Sequence, residues 1–441
     1  MTTTTTSTDE VTAGSQPPVR PRRGIPYKWE LIALLWCAYF FNRADKQIYS
    51  FIMPQIQGDL KLSDFQLGMV ATIFHWTYGL LVPFGGYFGD LLRRKWVIAV
   101  SLLLWSAATL LTGLSTGLIM LIFLRSLATG AGESFYYPSA TSLIGQFHHR
   151  TRALAMSIHQ TALYAGVIVS GLIVGWLAQT YGWRHAFYAF GGGGIILGLI
   201  MTWRLKDTPH AAADDADRAD ARASEPEARL PVSQVIRELR RKPTVLFLGL
   251  AFAGQAFVDI GYVTWMPTFL QEKFAMSPAS AGFSSMFYHH ICALVGILLC
   301  GRLTDLWSRG RRHVRLEAQF LGMLCGAPFI WMMGMSHSAA MCFLAMGLFG
   351  LFRGMYESNL YASLFEVIEP RLRSSAVGVM ISFAFLVGAL APVILGLLKH
   401  RLGLGAGLAG LSAVYVFSGL MLLIAWAGFF RCDCLPETAR I

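Results

Sequence analysis

The chain has 441 residues, of which 55% are hydrophobic and only 14% are charged, and its formal net charge is +11. A soluble domain carries about 25% charged residues, so this composition excludes an ordinary soluble protein. Apolar stretches of roughly 20 residues, the length with which an α-helix crosses a bilayer, recur along the chain. They are too long for the strands of about 10 alternating residues in a membrane β-barrel. We therefore expect an all-α membrane protein.

The apolar stretches fall into two sets of six. Residues 1–27 are expected to form a disordered cytoplasmic tail, because the apolar run that follows is not short and has no small-residue cleavage site of a signal peptide. Six spans are predicted in residues 28–204, and six more in residues 243–430, with a polar cytoplasmic linker at 205–242 and a cytoplasmic tail at 431–441. The twelve predicted spans are 29–52, 66–90, 95–115, 117–143, 153–178, 184–204, 243–270, 279–304, 313–335, 338–365, 373–398 and 405–430.

The positive charges follow this topology. With the N-terminus in the cytoplasm, 27 of the 36 Lys and Arg residues belong to the cytoplasmic side, five belong to the outer loops and four lie inside spans. Cytoplasmic loops of membrane proteins carry an excess of Lys and Arg. The distribution therefore supports twelve spans independently of hydropathy, and it predicts an inner-membrane protein with both termini in the cytoplasm. It also accounts for the basic net charge without nucleic-acid binding.

The chain lacks the common signatures of enzymes and metalloproteins. Its seven cysteines have neither a metal-ligand spacing nor the arrangement of a disulfide framework. We find no phosphate-binding loop, no nucleophile elbow and no zinc-protease motif. No metal, no cofactor and no enzymatic activity are therefore expected.

Two short patterns occur once in each set of spans. The pattern E-S-x-x-Y-x-S occupies 133–139 in span 4 and 357–363 in span 10. The pattern G-x-x-x-D begins at Gly86 after span 2 and at Gly301 after span 8. The offsets of 224 and 215 residues are similar, which indicates two duplicated halves, as in transporters built from parallel repeats.

The second pattern extends into basic segments, Gly86-Tyr-Phe-Gly-Asp90-Leu-Leu-Arg93-Arg94 and Gly301-Arg-Leu-Thr-Asp305-Leu-Trp-Ser-Arg309. Both resemble the loop signature of the major facilitator superfamily. An aspartate at a cytoplasmic helix end can pair with arginines of the next helix and so latch one conformation, whereas a plain basic loop needs no such pattern. The resemblance implies two pseudo-symmetric six-helix bundles in a monomer, with spans 1, 4, 7 and 10 lining a central cavity. It implies conformational gating by Gly86, Asp90, Arg93, Arg94, Gly301, Asp305 and Arg309.

Span 1 contains four polar residues within five positions, Asn42, Arg43, Asp45 and Lys46. Such residues are costly in the middle of a membrane, so they should face a water-filled cavity or pair with one another. The segment from Asn42 to Pro54 resembles the anion:cation symporter family of sugar-acid carriers and the bacterial Spinster-like transporters, which have Asn-x-x-Asp-Arg here. Lys46 departs from that pattern, and lysine is a flexible point charge where arginine offers a rigid fork. A purely structural ion pair in this helix is the alternative.

Span 4 carries Arg125 and Glu133, eight residues apart and so roughly on one face of a regular helix. A carboxylate in a low-dielectric cavity can bind a proton near neutral pH. We expect a switch in which Glu133 is either paired with arginine or protonated, with Asp45 as a second proton carrier. A static ion pair within the helix is the alternative interpretation.

Span 10 offers Arg353 and Glu357, whose spacing allows either a local salt bridge or a substrate and proton site. Polar residues inside other spans are further candidates to contact substrate, since intramembrane polar groups are often functional. The expected substrate-binding set is Arg43, Lys46, His75, Arg125, Gln160, Tyr164, Gln255, Arg353, Asn359 and Tyr361, and the expected proton-coupling set is Asp45, Glu133 and Glu357.

The sequence thus predicts proton-coupled symport of a small organic anion, such as a sugar acid or other carboxylate. The cationic side chains would hold the anion and the carboxylates would carry the proton. Export of a lysolipid or amphipathic drug, as the Spinster-like resemblance implies, and a non-transporting sensor on the same fold are the alternatives.

Overall fold

The computed structural model describes residues 26–148, 151–206, 237–308, 310–311 and 313–435. Six helices make up the first half of the chain, here the N-half. They are α1 (Tyr27–Phe51), α2 (Asp64–Leu91), α3 (Arg94–Thr112), α4 (Leu118–Phe147), α5 (Arg152–Tyr181) and α6 (Trp183–Arg204), with a short helix, Met53–Leu60, between α1 and α2.

Six further helices make up the C-half. They are α7 (Pro243–Phe274), α8 (Pro278–Trp307), α9 (Val314–Met335), α10 (Ala339–Val367), α11 (Arg373–Gly388 and Ala391–Leu402) and α12 (Leu404–Asp433). Each predicted span coincides with one helix, to within a few residues, and the described part of the chain contains no strand. The predicted all-α fold class is confirmed, whereas the linker prediction falls mostly on residues outside the described ranges.

Eleven of these helices are long and apolar enough to cross a membrane, by length and composition. The remaining one is α1, whose 25 residues would extend about 37 Å at 1.5 Å per residue. Arg43, Asp45 and Lys46 lie close together in it. This clustering of three charged residues separates α1 from the other eleven helices, so membrane crossing by α1 stays a prediction.

The two halves share local irregularities at equivalent positions. Gly182 joins α5 to α6 with φ +90°, and Gly403 joins α11 to α12 with φ +81°. This left-handed region favours glycine because it has no Cβ. In both copies of the E-S-x-x-Y-x-S pattern the helix is interrupted, and the serine hydroxyl donates to the carbonyl oxygen three residues earlier, from Ser134 to Ala131 at 2.7 Å and from Ser358 to Met355 at 3.0 Å. These matched features support the duplication.

We term the bundle end at which α1 begins and α12 ends the terminal end, and the opposite one the distal end. Near the distal end the two halves are in direct backbone contact, where α5 packs on α8. A Cβ atom at Gly171 would lie 2.5 Å from the carbonyl carbon of Gly282, and one at Gly175 would lie 2.3 Å from Cα of Ala279. Small residues allow this approach, as in other membrane helix pairs.

Charged side chains join the halves at the same end. Lys399 of α11 places its Nζ 2.9 Å from Oδ1 of Asp64 at the start of α2 and 2.6 Å from Oε1 of Glu272. The Gln271 side-chain amide donates to the backbone oxygen of Phe51 at 2.9 Å, which connects α7 to the end of α1. The distal end is therefore held closed by backbone contact and by the ion pair of Lys399 with Asp64.

Substituting Gly175 with alanine tests the distal contact. Because the clash is with backbone atoms of Ala279, a side-chain rotation cannot relieve it, and overpacking of this kind costs about 1–3 kcal/mol. We expect a lower melting temperature for Gly175→Ala in detergent. Gly192→Ala in α6 is the matched control, because a Cβ there meets no atom within 4 Å. Equal melting temperatures for the two variants would contradict the close packing of α5 on α8.

Candidate functional site

Four of the predicted residues, Asp45, Lys46, Arg125 and Glu133, lie close together in the centre of the N-half. Lys46 of α1 places its Nζ 3.4 Å from Oε2 of Glu133 in α4. The same Nζ lies 3.5 Å from the ring centroid of Tyr78 in α2, a cation–π contact. Glu133 has 0% of its side chain exposed, so this ion pair is desolvated. Lys46 and Glu133 are thus each other's main electrostatic partner across two helices.

Arg125 has a different role from the one its spacing suggests. Its NH2 group donates to the backbone oxygens of Asp45 at 3.1 Å and Lys46 at 3.0 Å, and its guanidinium carbon lies 4.4 Å from the ring centroid of Phe74. It forms no ion pair with Glu133, because residues 122–128 of α4 form a π-helical segment. A π-helix adds residues to each turn, so positions eight apart no longer share a face. The partner of Glu133 in this structure is therefore Lys46 and not the expected arginine, and a proton switch at Glu133 stays a prediction.

The remaining polar groups of α1 are buried around this pair. Asp45 is 3% exposed and accepts a hydrogen bond of 2.6 Å from the hydroxyl of Thr109 in α3. Arg43 donates to the hydroxyl of Tyr39 at 2.7 Å. Within the described residues, neither Arg43 nor Arg125 has a carboxylate within ion-pair distance. Their Nε atoms and the Nδ2 atom of Asn42 are buried without a hydrogen-bond acceptor.

A second network lies in the C-half, centred on Arg353 of α10. Its NH2 group lies 2.7 Å from Oε1 of Glu357 and 3.2 Å from Oδ1 of Asp259 in α7. Its NH1 group lies 2.9 Å from Nε2 of His289 in α8. Gln255 donates to the same Glu357 oxygen at 3.4 Å. The predicted local bridge of Arg353 with Glu357 is present, but it forms part of a network across three helices.

Other predicted substrate contacts are less closely grouped. His75 lines a very small cavity of about 10 Å³ with Lys46, Arg125 and Thr264 of α7, and its Nδ1 lies 2.8 Å from the carbonyl oxygen of Ala71. Thr264 comes from the C-half, so the cavity lies between the halves.

Three more of these residues have neighbours outside both networks. The Gln160 amide donates to the Tyr137 hydroxyl at 3.3 Å, and the Tyr164 ring lies edge-on to His290 with centroids 6.4 Å apart. Tyr361 is exposed.

Asn359 is placed in helix packing. It is fully buried, its side chain donates to the Met355 carbonyl at 3.2 Å, and its backbone oxygen accepts from Gln319 at 2.8 Å. A contact of Asn359 with substrate stays a prediction without support from this geometry. The structure instead adds Tyr78 and Thr109 to the site. Neither residue carries a charge or belongs to a motif by which it could have been predicted.

The predicted gate is described in its second copy. Asp305 at the end of α8 pairs with Arg315 of α9 at 2.9 Å, and Arg315 also pairs with Glu366 of α10 at 3.3 Å. The arginine of the next helix that meets the aspartate is therefore Arg315, which the motif does not include. Arg309 and the side chain of Asp90 lie outside the described part of the structure. Gly86 belongs to α2, Arg93 directly precedes α3, and Arg94 is the first residue of α3.

A fold of two six-helix halves with buried charges at its centre is that of a membrane transporter, and the comparisons with known proteins agree. The family model of the Major Facilitator Superfamily matches residues 35–392. The chain belongs to this family.

Two relatives and one solved structure are similar to this chain along most of its length. The chain is 24% identical to a probable galactarate/D-glucarate transporter of Bacillus subtilis, over 90% of this chain and 92% of the relative. It is 25% identical to spinster homolog 1 of Xenopus laevis, over 92% of this chain and 80% of the relative. It also superposes with a TM-score of 0.75 and 21% identity on an inward-facing, unoccupied bacterial homolog of the human lysosomal transporter Spinster, covering 94% of this chain and all of that one.

Replacing Arg125 with lysine tests its role as a clamp on α1. Lysine has a flexible ammonium group in place of the rigid planar guanidinium, whose NH2 group donates to both carbonyls. The substitution therefore weakens two charge-assisted hydrogen bonds, each worth about 1.5–3 kcal/mol. We expect a clear fall in melting temperature. Arg204→Lys serves as the control, because Arg204 pairs with Glu30 at an exposed site, where such a pair contributes at most about 1 kcal/mol. Equal losses in both variants would contradict the clamp.

Proposed function

We propose that the protein is a proton-coupled symporter of a small organic anion, a sugar acid or other carboxylate, working by alternating access. The observation that carries this proposal is the buried Lys46–Glu133 pair, which lies beside two arginines without carboxylate partners among the described residues. A site that binds an anion needs cations that are not already neutralised. A site that couples to protons needs a carboxylate whose charge depends on its partner. The N-half offers both within one cluster.

The coupling follows from competition for Lys46. While Glu133 is ionised, it holds Lys46 at 3.4 Å. A proton on Glu133 removes that negative charge and leaves the ammonium buried without a counter-charge, which is costly. A substrate carboxylate then takes the place of Glu133, and the neighbouring Arg43 and Arg125 strengthen its binding. Proton and anion thus bind together, which is the requirement for symport. Asp45 and Glu357 are the further proton-coupling candidates.

Alternating access would use the gates at both ends. The distal end is closed by the ion pair of Lys399 in the C-half with Asp64 in the N-half, and its opening requires that pair to separate. At the terminal end, the segments that follow α2 and α8 would approach each other and close the cavity in the opposite state. We propose a monomer in the cell inner membrane with the terminal end in the cytoplasm. The relative named as a galactarate/D-glucarate transporter supports the substrate class.

A second candidate function is export of a lysolipid or another amphipathic molecule. It is favoured by the match to spinster homolog 1 along most of both chains. An exporter of this kind would bind lysophospholipid more tightly than sugar acids. A thermal-shift comparison of the purified protein with sugar acids and with lysophospholipid below its micellar concentration separates the two functions.

Uptake into proteoliposomes tests the coupling. With an inward proton gradient, we expect the wild type to accumulate a radiolabelled sugar acid and to lose accumulation when a protonophore is added. Glu133→Gln should retain exchange of internal for external substrate but lose gradient-driven accumulation, because its side chain cannot change charge. Glu317→Gln is the control, since Glu317 pairs with Arg311 at the terminal end, where α9 begins. Accumulation that survives the protonophore, or unchanged accumulation by Glu133→Gln, would refute proton coupling through this residue.

A further inference from the structure

The two walls of the central site differ in charge. The N-half wall has three cationic side chains, Arg43, Lys46 and Arg125, and two carboxylates, Asp45 and Glu133. The C-half network has the opposite balance, since its carboxylates outnumber its cations. Arg353 is there the one cation, against Asp259 and Glu357. A substrate between the walls therefore meets excess positive charge on one side and excess negative charge on the other.

The positive charge of Arg353 is already neutralised by its two carboxylate neighbours. One of its terminal nitrogens contacts both Asp259 and Glu357, and the other donates to Nε2 of His289. Because a guanidinium group only donates hydrogen bonds, that Nε2 must be the acceptor, and the imidazole is therefore neutral. The remaining Nε of Arg353 is shielded from solvent. His289 thus adds no positive charge to this wall.

Other described cations of the C-half lie near the bundle ends. Lys273 and Lys399 belong to the distal end, where Lys273 donates to the Gly334 carbonyl at 3.1 Å. Arg315 is held by Asp305 and Glu366 at the terminal end. None of these three belongs to the network around Arg353.

The side chains of the two acids are the most exposed part of this network, although Oδ1 of Asp259, which faces Arg353, is itself shielded from solvent. The side chains of Asp259 and Glu357 are 28% and 30% exposed, against 12% for Arg353. Ionised carboxylates accept hydrogen bonds and donate none. The C-half wall therefore suits hydroxyl groups, which can donate to it, and opposes a second carboxylate, which cannot.

We infer that the site selects sugar monoacids over sugar diacids, an inference that rests on the proposed function and specifies its substrate class. The single carboxylate binds to the cationic wall of the N-half, and the hydroxyl groups at the other end of the sugar chain donate to Asp259 and Glu357. A diacid of the same length would bring its second carboxylate against two carboxylates with no spare cation. Like charges placed together at an interface are strongly disfavoured, which makes them effective determinants of specificity.

Galactonate and galactarate form a minimal pair for the test, because they differ only in a terminal hydroxymethyl group that is a carboxylate in galactarate. In wild-type proteoliposomes, we expect unlabelled galactonate to compete with labelled galactonate at least about tenfold more strongly than galactarate does. Asp259→Asn removes one negative charge that opposes the second carboxylate of galactarate. This variant should therefore lower the preference for galactonate over galactarate severalfold. Glu317→Gln, which removes a carboxylate near the terminal end, should leave the ratio unchanged.

The outcomes separate the inference from the function on which it rests. Competition by galactarate within about twofold of galactonate in the wild type would overturn the inference while leaving sugar-acid transport intact. An unchanged ratio in folded, transporting Asp259→Asn would overturn the role of this carboxylate, and Glu357→Gln gives an independent reading if that variant fails to fold. Absence of any sugar-acid transport by the wild type would refute the proposed function and the inference together.

Discussion

Charged groups at the centre of a membrane protein are stable only when they are paired or can reach water, and this constraint organises the whole site. Each central cation is compensated in a different way. Lys46 has a carboxylate and an aromatic face, Arg125 has two backbone carbonyls, and Arg353 has two carboxylates and an imidazole. Breaking such a desolvated pair costs far more than breaking an exposed one. A proton or an anion that substitutes for one partner can therefore decide which pairs form.

The sequence predicts the fold better than it predicts the site. Long apolar spans predict helices almost directly, because few other structures satisfy their backbone hydrogen bonds inside a bilayer. The charges of the loops provide a second check on the number of helices. Both signals are properties of whole segments, so errors at single residues matter little. Two short sequence patterns likewise predict the duplication. Gly182 and Gly403, which both have a left-handed backbone conformation at equivalent positions of the two halves, are consistent with it.

Pairing inside the site could be predicted only in part. The sequence identified Lys46, Arg125 and Glu133 as members, but it assigned Arg125 to Glu133 because a regular helix would place them on one face. The π-helical segment in α4 places the two side chains on different faces, and no residue type in this segment predicts a π-helix. Thr109 and Tyr78 could not be predicted as site residues for another reason. A single threonine or tyrosine in an apolar helix usually only packs against its neighbours. Their roles depend on which helix lies opposite, which is tertiary information.

Duplication explains why the site has two networks, and divergence explains why they differ. Glu133 and Glu357 occupy the same place in the repeated pattern, next to the same helix interruption. In the N-half, the neighbouring α1 contributes Lys46, so Glu133 faces a cation from another helix. In the C-half, α7 contributes Asp259, so Glu357 shares its local arginine with a second acid. The same position of the repeat thus carries a carboxylate that pairs with a lysine of another helix in one half and with an arginine of its own helix in the other. A site assembled from two such unlike copies has excess positive charge on one side and excess negative charge on the other. This asymmetry is the basis of the proposed preference for a substrate that is charged at one end only.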